Sequence, residues 1–123
     1  MSDPGQPRLV RPALVVRDAP EQHRFEARLD PDGPLAALIS YEPSETWLRL
    51  LHTEVQPGFE GRGISSELVA RVVDDVRSRG LTIIPQCPFV IRWLERHPEQ
   101  HDVLSHPLPR HDATPRRGPA EPA

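Results

Sequence analysis

The chain has 123 residues, a formal net charge of −3 at pH 7 and a single cysteine. This length allows one domain, the weakly acidic charge argues against a nucleic-acid partner, and a lone cysteine excludes an internal disulfide. The sequence has no stretch of membrane-spanning length, and its N-terminus lacks the apolar core of a signal peptide. We therefore expect a cytoplasmic protein with neither a nucleic-acid nor a membrane partner.

Proline is concentrated at both ends of the chain. Residues 1–12 contain three prolines without an apolar run, and residues 105–123 contain five among scattered charged side chains. Segments of this composition cannot bury enough apolar surface to offset the entropy of ordering them. The sequence therefore predicts a folded domain over residues 13–104, with a disordered segment before it and a proline-rich disordered tail after it.

The first half of the domain reads as a series of antiparallel strands. Residues 14–16 predict a short strand, and residues 24–30 alternate between apolar and charged side chains, as a half-buried strand does. The turn sequence Pro-Asp-Gly-Pro at 31–34 joins this strand to a returning strand at 35–41. A third antiparallel strand is predicted at 46–55.

Strict alternation along the strand at 46–55 divides its side chains between two faces. One face is predicted to carry Leu48, Leu50, His52 and Glu54. A histidine beside two leucines is most simply a hydrogen-bonded core residue, and Glu54 a solvated charge at the strand end. These structural interpretations of His52 and Glu54 are the alternatives to the catalytic roles considered below.

A crossover helix follows, because apolar residues recur at helical spacing until Gly80 ends the pattern. Residues 81–84 then form a short apolar strand, which a crossover makes parallel to the strand before the helix. Pro88 begins a second helix that ends near His97 and Pro98. The predicted fold class is α+β, with a mixed, mostly antiparallel sheet of about five strands, a crossover helix and a C-terminal helix. The apolar positions of the crossover helix are Ile64, Leu68, Val69, Val72, Val73 and Val76.

The segment that leads into the crossover helix, residues 55–66, is rich in glycine. A loop at a helix N-terminus exposes backbone N–H groups that bind phosphate, and glycine lets the backbone approach the ligand closely. The pattern therefore predicts a site for a nucleotide-derived cofactor, against the alternative of a simple strand-to-helix turn.

Four short motifs, at 52–55, 60–64, 85–90 and 96–99, together resemble the GNAT superfamily of acetyl-CoA-dependent N-acetyltransferases. The superfamily's R/Q-x-x-G-x-G/A loop falls on residues 60–65, with glutamate at the leading position and serine at the last. A subfamily of very short GNAT-like, acetyl-CoA-binding proteins is more similar still. The shared motifs are His-Thr-Glu-Val at 52–55, Glu-Gly-Arg-Gly-Ile at 60–64, Pro-Gln-Cys-Pro-Phe-Val at 85–90 and Arg-His-Pro-Glu at 96–99.

The resemblance implies a minimal GNAT fold with acetyl-CoA as co-substrate. It implies that the pantetheine arm pairs with the backbone near Thr53 and Val55, in a gap where this strand splays from the strand at 81–84. It also implies that a set of loop amides binds the diphosphate, where the carboxylate of Glu60 opposes binding unless it points away. These amides belong to Gly61, Arg62, Gly63, Ile64, Ser65 and Ser66.

The resemblance also implies that the thioester lies near three candidate catalytic residues, Cys87, His52 and Glu54. Acetyl transfer to an amine needs a proton acceptor and a stabilised oxyanion. His52 or Glu54 is a candidate for the proton, and a backbone N–H near residues 54–55 for the oxyanion. Cys87 precedes Pro88 at a helix N-terminus, which favours the thiolate, so it is either an acetyl-accepting nucleophile or an inert buried residue.

The expected function is acetyl-CoA-dependent N-acetyl transfer to an unknown amine, and the alternative is a non-catalytic acetyl-CoA sensor or acetyl carrier. Typical GNAT enzymes wall the acceptor pocket with helices between their first two strands, but residues 18–24 are too few for them. The family's usual tyrosine acid has no counterpart, since Tyr41 lies on the hairpin. The open face implies a bulky acceptor such as a protein, a wall from a second subunit in a homodimer, or no transfer.

No metal site is expected. His97 and His101 have the spacing of neighbours on a helix, but Pro98 interrupts the helix between them. No further cluster of ligand-type side chains lies nearby in the folded part of the sequence.

Overall fold

The computed structural model describes residues 14–108, so the predictions of disorder for residues 1–12 and for most of the tail fall outside the described part. The described residues form five strands, two α-helices and two short 3₁₀ turns. The elements are β1 (Val15–Ala19), a 3₁₀ turn (Pro20–Gln22), β2 (Arg24–Arg28), β3 (Leu35–Pro43), β4 (Trp47–Val55), α1 (Ile64–Ser78), β5 (Thr82–Pro85), α2 (Pro88–Glu95) and a second 3₁₀ turn (Pro98–Val103).

The five strands form one sheet in the order β1-β2-β3-β4-β5. The first four strands pair antiparallel in a meander, and β5 pairs parallel with β4 after the crossover through α1. This arrangement confirms the predicted α+β class, including the mixed sheet and both helices.

One hydrophobic core lies between the sheet and the two helices. The six residues of α1 that helical spacing predicts are all buried, and α2 adds Val90, Trp93 and Leu94. From the sheet, Phe25, Ile39 and several other side chains join the same cluster. Burying an aliphatic side chain of this size contributes about 1.5–3 kcal/mol relative to leaving it exposed, so α1 is fixed firmly against the sheet.

A β-bulge in β4 changes the predicted assignment of its faces. Ser40 of β3 pairs with His52, but the next residue, Tyr41, pairs with Leu50, so Leu51 is an extra residue without a partner. An extra residue reverses the alternation beyond it. Leu48 and Leu50 are buried as predicted, whereas His52 is exposed. The prediction that His52 shares a face with these leucines was therefore wrong.

The reversed alternation gives β4 two distinct faces beyond the bulge. Thr53 lies in register with the buried Ile39 and Phe25, on the face that packs against the helices. His52 and Glu54 lie on the opposite face, which we call the open face. Only the 3₁₀ turn Pro20–Gln22 and His23 separate β1 from β2, as the short spacing of the sequence predicted.

Two histidines cap the C-terminal end of α2. His97 Nδ1 donates to the carbonyl of Trp93 at 2.7 Å, and His101 Nε2 donates to the carbonyl of Leu94 at 2.6 Å. Each carbonyl also accepts one backbone N–H, Trp93 from Arg96 at 3.1 Å and Leu94 from His97 at 3.0 Å. Each histidine therefore adds a second hydrogen bond at the helix end. The spacing of His97 and His101 raised the possibility of a metal site, but one ring nitrogen of each is engaged at the end of α2.

Candidate functional site

A gap opens where β4 and β5 part. Their parallel pairing ends at Leu50 opposite Pro85, and the carbonyl of Leu50 accepts the N–H groups of Gln86 at 2.9 Å and Cys87 at 3.1 Å. β4 continues as far as Val55, whereas the chain after Pro85 turns away into α2. Residues 51–55 therefore form a free strand edge facing the gap.

The backbone groups of Thr53 and Val55 point into this gap. The N–H of Gln56 donates to the carbonyl of Ala36 on β3 at 2.9 Å. Because backbone groups of successive strand residues point to opposite edges, those of Thr53 and Val55 point away from β3. An extended ligand arm can pair with such an edge as an added strand does.

The glycine loop connects this edge to α1. Gly61 and Gly63 have φ angles of 76° and 75°, in the left-handed region that side chains with a Cβ avoid. Gly63 is the N-cap residue and has no side chain, so no side chain caps the first turn. The first helical hydrogen bond runs from the N–H of Glu67 to the carbonyl of Gly63. The preceding amides of the first turn have no helical partner and are available to an anion.

The charged side chains of the loop are held by the loop itself. The Glu60 carboxylate folds back and accepts the N–H of Gly58 at 3.0 Å. The guanidinium of Arg62 lies 5.4 Å from the centre of the Phe59 ring, within range of a cation–π contact. The carboxylate at the leading position of the motif is thus engaged in a turn with Gly58 and does not line the groove described below.

A groove of about 200 Å³ lies at this loop. The six residues predicted to bind the diphosphate, 61–66, all line it, together with Val55. Phe59 and Phe89 also line it, and the sequence reasoning missed both of them as site residues. The sequence offered two signals for them. Phe59 is an aromatic residue inside the glycine loop, and Phe89 lies in the first turn of α2.

Cys87 lies on the helix side of the gap and is buried, with 4% of its surface exposed. It is the N-cap residue of α2, as the sequence predicted. Its Sγ lies 3.2 Å from Oγ1 of Thr53, so a hydrogen bond joins the free edge of β4 to the start of α2. The pair closes the gap on the side of the core.

His52 and Glu54 face the other way. Nε2 of His52 lies 3.4 Å from Oε2 of Glu54, and more than half of each side chain is exposed. The structure therefore brings these two predicted residues together. It separates them from Cys87, because the sheet lies between.

A larger cavity of about 310 Å³ lies between β1 and α1, on the far side of α1 from the gap. Its lining includes Asp18, Asp74 and Asp75, whose carboxylates disfavour a diphosphate. Asp18 accepts a hydrogen bond from the Tyr41 hydroxyl at 2.5 Å. Burial and this bond raise the pKa of Tyr41. The Tyr41 hydroxyl is therefore directed at β1, at the opposite edge of the sheet from the gap between β4 and β5.

Residues 14–108 contain neither a membrane-spanning helix nor a cluster of metal-binding side chains. No helix there is long and apolar enough to cross a membrane. Within the same residues, no three side chains of the histidine, cysteine, aspartate or glutamate type come together as a metal site would require.

The chain is first of all an α+β domain with a groove at the start of its crossover helix, lined by residues 61–66. Residues 24–103 match the family described as GCN5-related N-acetyltransferase. This range covers more than half of the 123 residues, and the chain belongs to that family. Members of this family use acetyl-CoA. A search of curated proteins finds no match to the chain.

A solved structure supports the same assignment. A GCN5-like protein from Staphylococcus aureus, itself described only as a candidate N-acetyltransferase, has a solution NMR structure similar to this chain with a TM-score of 0.59. The sequences are 25% identical, and the similarity covers 83% of this chain and 97% of that one. Because nearly all of the other protein is covered, this small domain corresponds to a whole chain there.

Proposed function

We propose that the protein transfers the acetyl group of acetyl-CoA to an amine. The observation that carries this proposal is the continuity of the site. The uncapped amides at the start of α1 stand at one end of the free edge of β4, and the gap beside β5 begins at the other. The diphosphate of acetyl-CoA matches the amides at the start of α1. Its extended acyl-bearing arm matches the free edge of β4 that leads to the gap.

The cofactor is proposed to bind through the backbone. The amides of residues 61–66 hold the diphosphate, and Arg62 adds the one positively charged side chain of the loop. The pantetheine arm pairs with Thr53 and Val55 and runs along β4 towards the bulge, over about 13 Å at 3.3 Å per residue. The thioester then lies beside Leu51, where the bulge leaves a residue outside the β-ladder.

The amine is proposed to approach from the open face, because Thr53 and Cys87 close the gap on the other side. There the His52–Glu54 pair accepts the proton that the attacking amine loses. The amine nitrogen bonds to the thioester carbon, and the tetrahedral intermediate breaks its carbon–sulfur bond and releases the CoA thiolate. The proton taken from the amine is returned to this thiolate, so CoA leaves as its thiol. A backbone N–H on the free edge of β4 is the candidate for stabilising the oxyanion.

Labelled acetyl-CoA tests the reaction. Incubation with amine and peptide pools is expected to yield acetylated product, at a rate that His52→Gln lowers about 100-fold, as loss of a general base does. Arg92→Gln, on the exposed side of α2, serves as the matched control. Absence of turnover by the wild-type protein with every acceptor would refute the proposal.

A second candidate function is an acetyl carrier or sensor, and the contact between Cys87 and Thr53 favours it. The thiol borders the gap where the thioester is proposed to lie, so it can accept the acetyl group with release of CoA thiol. Mass spectrometry after exposure to acetyl-CoA distinguishes the two. A stable adduct on Cys87, abolished by Cys87→Ser and never passed to an amine, would establish the carrier.

Calorimetric titration with CoA and acetyl-CoA tests the premise that both candidates share. Both proposals expect binding, because both rest on the loop amides. If neither compound binds at millimolar concentration, both candidates fall and a scaffold without ligand is left.

A further inference from the structure

Two arginines bind one carboxylate on the open face of the sheet, and a third arginine lies opposite it on the neighbouring strand. Glu26, in β2, accepts hydrogen bonds from Arg24 Nε at 2.8 Å and from Arg28 Nη2 at 3.1 Å. Arg17, in β1, pairs directly across from Glu26 in the β-ladder. We call these four residues the arginine cluster.

The arginine cluster carries uncompensated positive charge. Glu26 supplies one negative charge to three guanidinium groups, and only 12% of its side chain is exposed. Arg17 is exposed and forms no ion pair with any residue between 14 and 108. Arg24 and Arg28 keep 28% and 32% of their side chains exposed. An anionic group can therefore reach this surface without displacing an existing partner of Arg17.

The arginine cluster shares its face with the proposed proton acceptor. Glu26 lies in register with Leu38 of β3, and Leu38 lies in register with Glu54 of β4. Adjacent strands are about 4.8 Å apart, so the Glu26 and Glu54 positions are about 10 Å apart across the sheet. Leu38 lies between them and is buried, with 8% of its surface exposed.

We infer that the amine acceptor is a polypeptide with an acidic side chain close to the acetylated amine. This inference rests on the proposed function and specifies its substrate. The amine lies at His52 and Glu54, while the acidic side chain meets the arginine cluster. A separation of about 10 Å corresponds to about three residues of extended chain. Side chains on one face of such a chain recur at every second residue, so the acidic side chain lies two or four residues from the acetylated one. A polypeptide fits because no helix between β1 and β2 encloses the open face, and charge complementarity selects the acidic neighbour.

Matched peptides test the inference. Short peptides with one lysine and a blocked N-terminus carry either Glu or Gln two or four residues from the lysine, on either side. Acetylation from acetyl-CoA is followed by mass spectrometry with the wild-type protein, with Arg17→Glu and with Arg92→Glu. The last variant changes the net charge equally but lies on α2, away from the open face. CoA titration of each variant verifies that the cofactor site is intact.

We expect the wild-type protein to prefer the Glu peptide about 5-fold in kcat/KM at low ionic strength, as an exposed ion pair provides. The preference should disappear near 0.5 M salt, where the Debye length falls to about 4 Å. Arg17→Glu should abolish or invert it, whereas Arg92→Glu should retain it.

The failures are distinguishable. Equal acetylation of the Glu and Gln peptides would overturn the inference and leave N-acetyl transfer intact. Acetylation of small phosphorylated or carboxylated amines, without any peptide, would overturn the polypeptide acceptor alone. Binding of CoA without transfer to any amine would refute both the inference and the transferase proposal.

Discussion

Replacement of Gly63 by alanine separates the role of the loop in folding from its role in binding. Gly63 has a φ of 75°, and a Cβ placed there would have no heavy atom within 4 Å. The cost is therefore backbone strain rather than a clash, about 1–2 kcal/mol for an L-residue in the left-handed region. If the backbone relaxes instead, the amide of Ile64 turns away from the groove.

Gly80 is the matched control. Its φ is 72° and a Cβ there also meets nothing within 4 Å, but it lies beyond the other end of α1. Both alanine variants should lose similar stability, about 4–8 °C in Tm per kcal/mol for a domain of this size. Only Gly63→Ala should weaken CoA binding. Loss of one hydrogen bond to the charged diphosphate, about 1.5–3 kcal/mol, raises Kd about 10- to 100-fold.

Calorimetric titration with CoA at a temperature well below both midpoints provides the measurement. Equal affinity of Gly63→Ala and Gly80→Ala for CoA would refute the reasoning, because the amides at the start of α1 would then not bind the diphosphate.

Two further predictions concern stability. Burial raises the pKa of Glu26, but the hydrogen bonds and charges of Arg24 and Arg28 outweigh it and hold the pKa below its ordinary value of 4.5. The stabilisation is complete above pH 4.5 and is lost as pH falls through the lower, folded-state pKa. Glu26→Gln should lower the free energy of unfolding by about 1 kcal/mol at neutral pH, and urea titrations should show the difference vanishing in acid; a difference independent of pH would contradict this. Arg77 forms two hydrogen bonds with Asp102, at 2.9 and 2.8 Å, so Arg77→Ala should speed amide exchange in residues 98–105, with little change in global stability because the pair is exposed.

Local patterns predicted most of the fold. The apolar spacing of α1 identified all six of its buried residues, because a helix buries one stripe regardless of its neighbours. The turn at 31–34 likewise fixed the β2–β3 hairpin. The glycine loop was found for the same reason, since positive φ at Gly61 and Gly63 is a local requirement.

The features that the sequence could not predict depend on contacts between residues that are distant along the chain. The run Leu48, Leu50, His52 and Glu54 continues an unbroken alternation, and only the pairing with β3 reveals that Leu51 is extra. Phe89 meets the loop because α2 packs beside α1, which no local pattern encodes. The contact between Cys87 and Thr53 joins residues that are 34 positions apart.

The bulge therefore decides which catalytic residues can act together. Without it, His52 would face the core on the same side as Cys87, and a thiol–imidazole pair would be plausible. With it, the two residues lie on opposite faces of the sheet, and they should contribute independently to the reaction. A double-mutant cycle with Cys87→Ser and His52→Gln measures this, using kcat/KM for acetyl-CoA and a lysine peptide.

Independent residues give effects that add within about 0.3–0.5 kcal/mol. We expect His52→Gln to cost about 100-fold, Cys87→Ser to cost little, and the double variant to equal their product. Residues that act as a unit behave differently, since removing either one costs nearly as much as removing both. If each single substitution matched the double variant, the thiol and the imidazole would be cooperating, and the assignment of His52 to the open face would be wrong.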